Sequence, residues 1–215
     1  MNRSLAAGFI GALVLCGSSA CFRSKLPPLE QYRLAPAPAT ANAGVDNMAG
    51  PLAGSVAVSR FLTPGVYGGD QIVYRIGDTG YGSYPNREWA LPLGEMLGML
   101  AEETMRADPL GTAVVYDPAS RRQFAYQWQG AVRQFEEVNR DDRVFVSVHL
   151  EARLLRTADD SIIWIGDRSA ELPVPRPNMT NIVDSLSAAA RQVMRELVID
   201  AKTAARKVSA DHDTP

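Results

Sequence analysis

The sequence predicts an α+β fold in two layers, an antiparallel sheet with two main helices packed on one face, and three observations carry it. Two-residue apolar alternation fills the middle third of the chain. Two stretches, one from Arg87 and one from Thr180, instead repeat apolar residues every three or four positions. The order is strands, helix, strands, helix, with no internal repeat, which suits segregated layers better than alternating βαβ units. A chain of 215 residues, 46% apolar and 21% charged, can bury one good core and is unlike a disordered or multi-pass membrane chain.

In chain order, Leu5 to Leu15 is an apolar run after Arg3, too short to span a bilayer and built like an export signal. Residues 1–20 are expected to be removed, with the cut between Ala20 and Cys21, because the small residues of "GSSA" precede Cys21 while Leu13, Val14 and Leu15 precede Cys16. Cys21 can then be read as an acylated anchor, as one end of a disulfide to Cys16, or as a free thiol. The disulfide needs a cysteine that lies in the discarded segment, and a free thiol is a liability in an oxidising compartment. The approach to Cys21 resembles the bacterial lipobox, which implies a diacylglyceryl cysteine as the mature N-terminus.

Residues 21–53, rich in Pro, Ala and Gly, read as anchor and flexible tether, roughly thirty residues with a contour limit on the order of 100 Å. Tyr32 to Leu34 is the exception, a short strand or docking segment. The single folded domain is expected over 54–207. "SVAVSRFL" and "QIVYRI" give strands, "GDTGYGSYPN" a loop or hairpin, and Arg87 to Asp108 an amphipathic helix with Trp89, Leu93, Met96, Leu97 and Leu100 on its apolar stripe and Pro92 in its first turn. "TAVVY" is a strand. "RQFAYQWQGAVRQFEEV", "RVFVSVHLEARLLR" and "IIWIGDRSAEL" form an antiparallel meander, with a bulge at Gly130 or a shift near Phe135. Thr180 to Lys207 is the second helix, and 208–215 a polar tail expected to be disordered.

The chemistry available is sparse. His149 sits on the polar face of a strand and His212 in the tail, with no Cys or His at ligand spacing, so neither metal nor cofactor is expected. "GDTGYG" lacks the Lys-Ser/Thr of a phosphate loop. The acids of "RDD" (Arg140 to Asp142) and "DD" (Asp159, Asp160) occupy turns. A net charge of −2 argues against nucleic acid. No catalytic residues are expected, and the protein reads as no enzyme. Phe145 and Leu155, on the polar parity of their strand, hint at a contact surface.

"YRLAP" soon after Cys21, then "VAVSRFLTPGVYGGDQIVYRIG", "REWALPLGEML", "VFVSVHLEARLLRTADDSIIW" and a C-terminal Ala/Leu helix together resemble the ABC-type transport auxiliary lipoprotein family, which includes paraquat-inducible protein C-like lipoproteins. The resemblance spans Gln31 to Val198, and its motif positions are Tyr74, Trp89, Pro92 and Leu93. It implies a non-catalytic lipoprotein on the periplasmic face of the outer membrane of a Gram-negative bacterium, anchored in the lipid membrane through acylated Cys21. Its implied partner is an MCE-domain periplasmic protein of an ABC system that moves lipids or other hydrophobic molecules, and it is expected to self-associate as a homo-oligomer. The other function the layout suits is a periplasm-spanning lipoprotein that activates a cell-wall synthase.

Overall fold

A computed structural model describes residues 27–35, 50–117 and 124–212 of the chain. Its elements are β1 (Glu30–Tyr32), β2 (Ser55–Val58), β3 (Gln71–Ile76), β4 (Gly80–Trp89), α1 (Leu93–Ala107), β5 (Ala113–Tyr116), β6 (Tyr126–Arg140), β7 (Arg143–Arg156), β8 (Ile162–Pro173) and α2 (Met179–His212). Strands and helices form the expected α+β pair of layers. The eight-stranded sheet is mixed: β6–β7–β8 is an antiparallel meander and β3–β4 an antiparallel hairpin, while β2 and β3 run parallel to β6, β5 parallel to β2, and β1 parallel to β4.

β6 is the organising strand. One of its edges carries β7 along its length, and the other is shared by β2 at Tyr126–Trp128 and β3 at Glu137–Asn139. Its register shifts between Val132 and Gln134, which moves Phe135 onto the face that Trp128 and Val132 occupy. Gly130 is not the bulge. The ring of Phe61 lies directly against it, and a Cβ there would sit 2.1 Å from Phe61 Cε1.

The core lies between the sheet and both helices. Val146, Val148, Leu150 and Leu154 of β7 are fully buried beneath Leu186, Ala189, Ala190, Val193 and Leu197 of α2, whose alanines bring the helix close to the sheet. α1 packs on α2 and on β2, β5 and β6. Trp128 and Trp164 stack across the meander at 5.5 Å.

Two boundaries differ from the sequence reading. The chain from Arg87 to Trp89 is strand, not helix, and α1 starts only at Leu93. Pro92 is the reason: it disfavours helical geometry at Leu91 before it, its own ψ of 131° is extended, and its carbonyl accepts the first helical bonds from Glu95 and Met96. At the other end α2 continues to His212, and Ser209 donates from Oγ to the Pro51 carbonyl at 2.8 Å.

Candidate functional site

The segment that enters the body is held on two sides. Glu30, Gln31 and Tyr32 pair in parallel with Arg87, Glu88 and Trp89, and Arg87 Nη1 donates to Glu30 Oε2 at 2.8 Å. The Ala90 N–H donates to the Tyr32 carbonyl at 2.7 Å. Beyond the strand the chain crosses to α2, where the Ala35 N–H donates to Ser187 Oγ at 2.9 Å and Arg191 donates to the Ala35 carbonyl at 2.7 Å. Tyr32 and Leu34 pack against the core. Burial, then the hydrogen bond to Glu30, raises the Tyr32 hydroxyl above its ordinary pKa. The body thus takes in residues 30–35 as well as 50–117 and 124–212.

Further into the sheet, with β4 and β3 between it and this segment, β6 places two carboxylates back to back. Glu136 is wholly buried on the outer face, where it accepts from Tyr67 at 2.5 Å and from Arg75 Nε at 2.8 Å. Glu137, on the helix face, accepts from Tyr84 at 2.7 Å and from Asn139 Nδ2 at 2.7 Å. Burial first, and the carboxylate bonds second, push the Tyr67 and Tyr84 hydroxyls well above their usual range. Each carboxylate therefore has donors in place of water, and each ties the β3–β4 hairpin and the turn before it to β6. No nucleophile or histidine joins them in these bonds. The pair locks the sheet.

The motif positions lie on the hairpin and at the start of α1. Tyr74 lies across Gly82, whose missing side chain makes the room, and contacts the Tyr84 ring at 4.9 Å. Trp89 ends β4 and meets Phe135 edge-on at 5.8 Å. Pro92 and buried Leu93 open α1. Ala20 and Cys21 lie outside the described residues, as does Cys16. His149 pairs with Asp167 at 3.0 Å, and Phe145 is half-buried beneath the guanidinium groups of Arg140 and Arg143. The sequence reading passed over Glu136 and Glu137; two adjacent acids inside an otherwise apolar strand run were the available signal.

The family described as "ABC-type transport auxiliary lipoprotein component" matches residues 32–198. The chain belongs to that family. Among solved structures, the auxiliary lipoprotein is similar to protein XCC0632 from Xanthomonas campestris, at 17% identity and a TM-score of 0.62, covering 76% of this chain and 92% of that one. An uncharacterized protein is similar at 18% identity and a TM-score of 0.60, covering 80% and 98%. These likenesses concern the fold. No curated protein matches.

As a lipoprotein component it is an envelope protein held at a membrane, and among the described residues no helix is long and apolar enough to cross one. Nor, among those residues, does any group of three or more His, Cys, Asp or Glu stand ready to hold a metal ion. What the auxiliary lipoprotein does offer is a rigid body tied to its own entry segment, with exposed apolar residues in separate places. Leu62, Val66 and Leu91 flank the start of α1, while Ile162 and Ile165 lie along β8.

Proposed function

We propose that this auxiliary lipoprotein is a non-catalytic, outer-membrane subunit of an ABC transport system for lipids or other hydrophobic molecules, anchored through acylated Cys21 and docked on an MCE-domain periplasmic protein. The observation that carries this reading is the docked entry segment. Cys21 is about nine peptide steps from Glu30, so the anchor lies within about 30 Å of β1 even with that stretch fully extended. A head this close to its bilayer suits a subunit that receives cargo at the membrane. A regulator that must reach across the periplasm to a synthase needs the much longer tether that a free segment up to residue 53 would have supplied.

Self-association is part of the proposal. Among the described residues β8 pairs only with β7, so the outer edge these residues leave unpaired, beside exposed Ile162 and Ile165, is available to a second copy. The test is purification of the full-length lipoprotein from native membranes in mild detergent. An MCE-domain protein should be retained with it; a cell-wall synthase retained instead would favour the other reading, and neither partner would count against both. Fatty-acid labelling should vanish in Cys21→Ala and persist in Cys16→Ser.

A further inference from the structure

The direction of β1 fixes which end of the head faces the anchor. β1 runs parallel to β4, which climbs away from the β3–β4 turn at Gly77–Thr79, so the chain preceding Glu30 arrives from the side of that turn. Glu30 stands opposite Arg87, next to Glu88, which pairs with Gln71, while Tyr81 pairs with Arg75; across the irregular stretch of β4 the two levels are only about four β3 residues apart, or about 13 Å at strand rise. The stretch back to Cys21 can cover about 30 Å, which reaches the turn with length to spare. The far end of the sheet, at the β7–β8 turn, lies level with the start of β6, about 30 Å from Glu30 in the opposite direction. To reach it the chain would have to reverse and then stay fully extended.

Several parts of the sheet finish together at the near end. Ile76 pairs with Gly80 across the hairpin and stands beside Asn139, next to the β6–β7 turn, while β8 ends at Pro173 opposite Phe145. Gly77 takes a φ of 60°, the left-handed geometry that closes the tight loop. Apolar groups are exposed at this end too: Ile76 is 61% exposed and Tyr81 49%. A groove of about 330 Å³ lined by Val144, Phe145, Pro173 and Val174, among others, opens at the same end. The charges around it are mixed and nearly balanced, with Asp78, Asp141, Asp142 and Glu171 set against Arg140, Arg143 and Arg176, while Arg75 is already paired with buried Glu136.

We infer that this end of the sheet is a membrane-contact surface: the β3–β4 tip, with Ile76 and Tyr81, rests in the interface of the same bilayer that holds the Cys21 anchor. The inference rests on acylation of Cys21. An apolar tip with balanced charge enters the headgroup and upper acyl region through apolar area and not through attraction to anionic lipid, so contact should be insensitive to salt. The anchor alone holds the protein on the membrane; the tip sets its orientation.

The experiment uses the full-length mature lipoprotein in vesicles of phosphatidylethanolamine and phosphatidylglycerol with brominated acyl chains. A bimane label is placed at Thr79→Cys on the tip or at Ala158→Cys in the β7–β8 turn, the opposite end. Emission at Thr79→Cys should fall about twofold relative to unbrominated vesicles, and emission at Ala158→Cys should not change, as expected for an interfacial depth of about 5–10 Å. Adding Ile76→Asp and Tyr81→Asp should abolish quenching at Thr79→Cys while the protein stays on the vesicles. Equal lack of quenching at both sites, or quenching at Ala158→Cys alone, in protein that carries fatty acid and floats with vesicles, would overturn the inference and leave the anchor standing. Protein without fatty acid that stays behind on flotation would overturn both, and the fatty-acid count tells that failure apart.

Discussion

The β6–β7–β8 meander and the β1–β3–β4 corner belong to one sheet but are held by different means. The meander is joined by short turns, pairs along 14 residues of β7, and buries a continuous apolar face under α2. The corner joins the β3–β4 hairpin to partners distant in sequence, both of those junctions are parallel, and its fastenings are polar: Glu136 to Tyr67 and Arg75, Glu137 to Tyr84, Glu30 to Arg87, and Ala35 to Ser187. Local pairing and apolar area secure the first. The second depends on a few directed hydrogen bonds, so it should loosen without the whole molecule unfolding.

The largest effect is expected in the meander. Trp128→Ala removes a fully buried ring stacked on Trp164 and should cost about 3–5 kcal/mol, lowering the denaturant midpoint of the whole domain in one transition. Glu136→Ala should cost about 3 kcal/mol, because it leaves Arg75 and the Tyr67 hydroxyl without a partner. Here the loss should show first as faster amide exchange in β3 and β4, with β7 still protected. If both variants lower protection evenly across the sheet, the two regions are not distinct.

Smaller changes sharpen the contrast. Tyr67 and Tyr84 have folded-state pKa values raised above the ordinary value of about 10. Above that pH the unfolded chain ionises at these positions while the folded one does not, so stability should fall as pH rises past about 10, by up to about 1.4 kcal/mol per pH unit per tyrosine. Tyr84→Phe should cost about 1 kcal/mol at neutral pH and flatten this alkaline slope, as urea titrations at pH 8 and pH 11 would reveal. Arg87→Ala removes a partly exposed, solvent-screened pair and should cost less than about 1 kcal/mol, while still loosening β1.

The same contrast explains what could be read from the sequence. Val146 to Leu154 alternates apolar and polar residues because one face of β7 meets α2 and the other is polar, and the stripe from Ile182 to Ala201 is the matching half of that contact. Such periodicities are local, so the meander and α2 were legible. The corner was not, because nothing near Glu30 in sequence indicates Arg87, and the parallel joining of β3 to β6 spans some sixty residues. The helix from Arg87 was over-read for the same reason: Trp89 has helical spacing to Leu93, but its strand partner is Tyr32, far upstream. For the site, "YRL" reads as a short strand or a docking segment, whereas the carboxylate pair depends on donors from β3, β4 and the turn before them, which no local pattern shows.

The central claim is that the entry segment is part of the folded head, keeping the head near its anchor. Residue-resolved hydrogen exchange on the full-length lipoprotein tests it through two amides: Ala35, which donates to Ser187, and Ala90, which donates to Tyr32. Both should be protected well beyond free-chain rates, and Ser187→Ala should release Ala35 while leaving β7 unchanged. Exchange at Ala35 and Ala90 at the rate of an unstructured chain, with β7 protected, would contradict the claim and restore the long free tether.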